Sequence, residues 1–173
     1  VEHLSVALRN PQLKRLCEAL RNPECKIQSL WLSYNSLTAD CTEDLVSALS
    51  TNYSLMELNL SNNDLGDSGV KRLCEALRNP ECKIQSLWLS YNSLTADCTE
   101  DLVSALSTNY SLMELNLSNN DLGDSGVKRL CEALRNPECK IQRLWLCDNN
   151  GGKQLNLLQG TRAGLRVSVW ITE

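Results

Sequence analysis

Residues 14–70 of this chain recur letter for letter at 71–127, and a third copy holds from 128 to 142 before it diverges at Arg143. An exact tandem of this length points to a stacked architecture, in which each copy buries its apolar face against the next. The period of 57 residues divides into two similar halves, IQSLWLSYNSLTADCTEDLVSALSTNYS and LMELNLSNNDLGDSGVKRLCEALRNPECK. Both fit LxxLxLxxNxL followed by an amphipathic helix. The asparagine of that pattern falls at Asn35, Asn63, Asn92, Asn120 and Asn149, spaced alternately by 28 and 29 residues.

Each letter of the pattern has a local cause. In a strand, alternate side chains point to opposite faces, so Leu30 and Leu32 turn inward while Ser29, Trp31 and Ser33 turn outward. The asparagine carboxamide bonds backbone groups where the chain leaves the strand, and stacked repeats make this a structural Asn ladder. In LGDSGVKRLCEALRNPEC the apolar residues Val70, Leu73, Cys74 and Leu77 follow helical spacing; Asp67 is the expected N-cap, and Pro80 ends the helix. In LTADCTEDLVSALSTN, Cys41, Leu45, Ala48 and Leu49 form the equivalent stripe.

The spacing predicts six strands, near 27–32, 55–60, 84–89, 112–117, 141–146 and 165–169. Helices are expected near 13–21, 39–51, 68–78, 96–108, 125–135 and 152–160. Every strand reaches the next through a helix, so the sheet is parallel. The fold class is therefore α/β: a leucine-rich repeat solenoid, a horseshoe segment with its parallel sheet on the concave face and helices on the convex face. At about 4.8 Å per strand the arc is about 25 Å long. We expect one domain over 1–173, with an irregular or helical cap or remnant at 1–13, repeats over 14–150, and a capping helix and strand over 151–173 that cover the last leucines.

Composition fits a soluble chain: 42% hydrophobic and 22% charged residues, no phenylalanine, and leucine as the main core residue. VEHLSVALRNPQ lacks the features of a signal peptide, and no apolar run is long enough to span a membrane. The net charge of −4 disfavours nucleic acid as a partner. Nine cysteines fall in repeat series (Cys17, Cys74, Cys131; Cys25, Cys82, Cys139; Cys41, Cys98), with Cys147 apart. Recurrence at fixed structural positions fits small buried thiols in a reducing compartment better than disulfides. Without a C-x2-C pair, and with His3 the only histidine, a zinc site is disfavoured. The sequons at Asn52, Asn59, Asn109 and Asn116 are accordingly expected to be unused. No cofactor is implied: GGKQ at 151–154 does not complete a phosphate loop. No Ser/His/Asp set exists either, so the chain is not expected to be an enzyme.

The alternation of LxELxLSNNxLGDxGVxxLCExLxxPxC with LxLxxNxLTxxxCxxLxxxLxxN resembles the ribonuclease-inhibitor class of leucine-rich repeats. Over roughly 13–150 it is most similar to the carboxyl-terminal repeat domains of NLRP-type NOD-like receptors. The resemblance implies a cytoplasmic, non-enzymatic protein-interaction module of an innate immune receptor, contributing to ligand sensing, autoinhibition and assembly. The nucleotide-binding module of such a receptor is absent from these residues. The ribonuclease-inhibitor likeness implies a binder built on an aspartate flanked by tyrosines. Asp148 in LWLCDNN takes the aspartate position, but Cys147 and Asn150 stand in place of the tyrosines. The exact duplication also leaves open an engineered or consensus scaffold without a native partner.

The outward positions form an array. The middle column runs Trp31, Asn59, Trp88, Asn116, Trp145. Beside it run Ser29, Glu57, Ser86, Glu114, Arg143 and, on the far side, Tyr34, Asn62, Tyr91, Asn119, Asp148. Tryptophans on alternate strands are expected about 10 Å apart with an asparagine between them. Rigid aromatics flanked by polar groups suit a protein-binding surface, whereas a tryptophan lying flat over the sheet would only shield it. The expected partner is thus a protein on the concave face, with the open solenoid ends as a route to self-association.

Overall fold

A computed structural model describes residues 3–5, 10–150 and 164–168. The chain alternates strand and helix: β1 (His3–Ser5), α1 (Asn10–Arg21), β2 (Ser29–Trp31), α2 (Ala39–Leu49), β3 (Glu57–Asn59), α3 (Gly66–Leu77), β4 (Ser86–Trp88), a 3-10 turn (Ala96–Cys98) leading into α4 (Thr99–Thr108), β5 (Glu114–Asn116), α5 (Gly123–Leu134), β6 (Arg143–Trp145) and β7 (Arg166–Ser168). The strands form one parallel sheet in chain order, β1 to β7. Their register aligns Leu30, Leu58, Leu87, Leu115, Leu144 and Val167 in a single inward row. The architecture is the expected α/β leucine-rich repeat solenoid.

Two expectations change at the ends. Residues 3–5 form a seventh strand paired with β2, where an irregular or helical cap was expected. The register sets Leu4 beside Leu30. With seven strands the sheet spans about 29 Å across. The helix expected at 152–160 lies outside the described residues, and β7 occupies 166–168 of the strand expected at 165–169.

Helix stripes close the core from the other side. Val70, Leu73, Cys74 and Leu77 of α3 are buried, as are Leu45, Ala48 and Leu49 of α2. Asp67 does not cap its own helix: α3 begins after Leu65 with no side-chain cap bond. Its carboxylate reaches the next repeat, accepting from the Thr95 backbone N–H at 2.8 Å and from the Thr95 hydroxyl. An inter-repeat bond satisfies the carboxylate and aligns the start of the following helical segment.

The asparagine ladder closes the strand-to-helix turns. Asn120 Oδ1 accepts from the backbone N–H groups of Asn92 and Leu94, while its Nδ2 donates to the carbonyls of Leu89, Leu117 and Ser118. Asn63 repeats this set on Asn35, Leu37, Leu32, Leu60 and Ser61. Asn92 and Asn149 make the alternate set, accepting from Leu65 N–H and Leu122 N–H. Asn35 donates to the Ser33 carbonyl. A second ladder runs along the helix-to-strand side. Buried Asn52 and Asn109 accept from Leu55 and Leu112 N–H and donate to the Leu20 and Leu77 carbonyls. These two sequon asparagines are therefore structural side chains.

All nine cysteines are free thiols. Desolvation by burial pushes Cys17 up to about 11 and Cys74 up to about 12. It also raises Cys98, where the Asp67 carboxylate adds to the effect, and Cys131.

Candidate interaction surface

The outward residues fall into the expected columns. Register pairs Ser29, Glu57, Ser86, Glu114, Arg143 and Arg166 along one line, and Trp31, Asn59, Trp88, Asn116, Trp145 and Ser168 along the next. Arg166 and Ser168 extend both columns by one strand. The alternation in LRVSVWITE carried that signal, because Val167 is the inward residue between them.

Polar bonds fix the first column. The Ser29 hydroxyl donates to Glu57 Oε2 at 2.9 Å, and Ser86 donates to Glu114 Oε2 at the same distance. Ser29 points outward yet is only 4% exposed, so it supports Glu57 rather than offering itself to a partner. The second carboxylate oxygens are used differently. Glu57 Oε1 accepts the indole N–H of Trp31 at 3.1 Å. Glu114 Oε1 instead receives Arg143 Nη1 at 3.0 Å. Trp88, whose eleven-residue segment 84–94 is identical to the segment 27–37 around Trp31, has a buried indole N–H with no acceptor among the described residues.

The tryptophans are not evenly spaced as the sequence suggested. Trp88 and Trp145 stack with centroids 5.3 Å apart and planes inclined by 26°. Their strands stay two apart, but Asn116 leaves the gap open. Its Oδ1 turns back to accept from the Ser118 backbone N–H at 2.9 Å, as Asn59 does with Ser61. Trp31 is 40% exposed, while Trp88 and Trp145 are partly buried by each other.

The third column lies in the turn after each strand, and all five residues have left-handed backbone: Tyr34 (φ 59°), Asn62 (57°), Tyr91 (53°), Asn119 (57°) and Asp148 (51°). Asn and Asp accept this region readily; a tyrosine there is unusual and is held by the turn around it. Backbone bonds to the following repeat hold it, Tyr34 N–H to Ser61 and Tyr91 N–H to Ser118. The rings themselves stand clear, at 79% and 55% exposure. Near Asp148, Cys147 N–H donates to Ser118 Oγ and Asn150 Nδ2 donates to Asp121 Oδ1. Arg143, Trp145, Arg166 and Ser168 line a groove of about 300 Å³ at the β6–β7 end. Among the described residues no cluster of His, Cys, Asp and Glu could hold a metal ion, and no helix is long and apolar enough to cross a membrane.

Similarity to known proteins agrees with this geometry. The family described as Leucine Rich repeat matches residues 51–74 and 108–131. NACHT, LRR and PYD domains-containing protein 3 of Mus musculus is 45% identical over 82% of this chain. Protein 12 of the same series from Homo sapiens is 49% identical over 81%. The chain spans only 14% and 13% of those relatives' lengths. Among solved structures, Leiomodin-1 Actin-Binding Site 2 superposes with a TM-score of 0.70 at 21% identity, covering 83% of this chain and 86% of that one, a likeness of fold alone. The chain is a leucine-rich repeat domain similar to the leucine-rich repeat regions of the NACHT, LRR and PYD domains-containing proteins.

Proposed function

We propose that this domain is a non-enzymatic protein-interaction module that binds through its concave face and serves as the sensing and autoinhibitory segment of a cytoplasmic innate immune receptor. The observation that carries this reading is the outward array itself. Glu57 and Glu114 are held by serine, tryptophan and arginine, Asn59 and Asn116 by nearby backbone, and the aromatic rings of Trp31, Tyr34 and Tyr91 are left presented. Rigid aromatics surrounded by satisfied polar groups bind protein with little ordering cost. The docking surface comprises Ser29, Trp31, Tyr34, Glu57, Asn59, Asn62, Ser86, Trp88, Tyr91, Glu114, Asn116, Asn119, Arg143, Trp145 and Asp148, with Ser29 in a supporting role. The solenoid ends supply a second surface for self-association.

The test uses a full-length receptor carrying this repeat domain, with Trp31, Trp88 and Trp145 replaced together by Ala. Autoinhibition through this face predicts self-assembly of the variant in unstimulated cells. Resting behaviour identical to the parent receptor, at equal expression, would contradict the reading.

A further inference from the structure

We infer that the groove between Arg143 and Arg166 is a docking site for the carboxylate side chains of an acidic protein segment, and that its occupation releases Trp88 from Trp145. The inference deepens the concave-face reading and rests on it. Arg143 and Arg166 are register partners on adjacent parallel strands, so two arginine side chains leave the backbone about 4.8 Å apart. Like charges in that position repel. Glu114 is the single carboxylate paired with them among the described residues, and it meets Arg143 alone. One positive charge is left over, beside an aromatic ring and the Ser168 hydroxyl, around a groove open to solvent. Arg143 itself is 54% exposed and stays accessible while paired. An acidic segment supplies the missing charge, and the flat face of Trp145 takes its aliphatic stem.

The same residues couple docking to the aromatic face. Arg143 occupies the carboxylate oxygen that, one period earlier, accepts the tryptophan N–H: Trp31 Nε1 lies 3.1 Å from Glu57 Oε1. Trp88 has the same neighbours in sequence and lacks that acceptor. When a partner's carboxylate draws Arg143 toward Arg166, Glu114 Oε1 is freed and Trp88 gains the hydrogen bond that Trp31 already has. The Trp88–Trp145 stack opens, and both rings face the partner.

The probe is an acetylated, amidated Asp-Glu-Asp-Glu peptide titrated into the whole chain, with Asn-Gln-Asn-Gln and inorganic phosphate as separate arms. Near-ultraviolet circular dichroism reads the stacked pair, and intrinsic fluorescence gives the binding isotherm. The acidic peptide is expected to bind and to diminish the exciton signal, and the neutral peptide to do neither. Arg166→Gln keeps the Arg143–Glu114 pair and weakens the peptide about fivefold, the scale of an exposed charge pair. An unchanged melting temperature confirms that this variant is folded. Equal binding of the neutral peptide, no binding of the acidic one, or no effect of Arg166→Gln would overturn the site. An equal response to phosphate would overturn the assignment to a protein carboxylate. Loss of partner binding in the triple tryptophan variant, together with charge-independent peptide behaviour, would overturn this inference while sparing the concave-face reading.

Discussion

Trp88 stacks on Trp145 while Arg143 holds the oxygen of Glu114 equivalent to the one that Trp31 bonds on Glu57. Identical segments at 27–37 and 84–94 thus present their tryptophans differently, and the copies first differ in sequence at Arg143, two strands beyond Trp88. Arg143→Ser restores the serine found in the other two copies. It is expected to abolish the exciton signal in near-ultraviolet circular dichroism and to create a Trp88–Glu114 hydrogen bond. Stability should change by less than about 1 kcal/mol, since the lost ion pair is largely exposed. A retained exciton signal would show that the stack forms independently of Arg143.

Asn120 bonds five backbone groups across two repeats and is 8% exposed. Asn120→Ala strands several of them, at a cost on the order of 3 kcal/mol in urea denaturation. Asn116→Ala removes one local bond to Ser118 and should cost less than about 1 kcal/mol. Similar losses for both variants would contradict a ladder that joins repeats.

The outward columns and the five-residue ladder were legible because the repeat fixes register, and register fixes which side chains share a line. Arg166 and Ser168, absent from the array drawn from the sequence, belong to those columns too, and the same alternation carries them. Less could be read where side chains choose among neighbours. The Trp88–Trp145 stack and the Arg143–Glu114 pair beside it are side-chain choices that no periodicity encodes. Asp67 reads as a helix cap in the sequence, yet it lies inside the first turn of α3 and bonds Thr95 of the next repeat. Asn52 and Asn109 look like sequons by motif and are buried backbone bonders by geometry. The three residues of β1, His3–Ser5, carry too little pattern to announce a strand.

Gly126 lets α5 approach the start of the preceding helical segment. A Cβ there would lie 3.1 Å from Leu122 Cβ and from Thr99 Cγ2, and 3.3 Å from the Ala96 Cα. Gly126→Ala would favour an isolated helix, but here the crowding should win, destabilising by about 1–3 kcal/mol in chemical denaturation. A stabilised variant would mean that the helices can separate without loss.

The buried thiols predict an alkaline limit. Cys17 and Cys74 start from an ordinary value of 9.0 and are pushed up to about 11 and about 12 in the folded chain. The folded state therefore holds these protons more tightly than the unfolded one. That stability is fully present below pH 9 and is lost as pH rises through 11 to 12. Melting temperature should fall across this range. Alkylation at neutral pH should reach the partly exposed Cys25, Cys41 and Cys147 first. Full oxidation should lower the melting point, because pairing would distort helix packing. A flat profile above pH 9, or unchanged melting after oxidation, would contradict the burial of these thiols.

The concave face as docking surface is tested most directly by quantitative capture from cytosol. Three baits are compared: the wild-type domain, the Trp31→Ala, Trp88→Ala, Trp145→Ala variant, and a convex control with Lys71, Glu75 and Lys128 changed to Ala. Proteins retained by the wild type should be retained by the convex control and lost from the tryptophan variant, with all three baits melting cooperatively. Retention of the same proteins by the tryptophan variant, or their loss from the convex control alone, would contradict it.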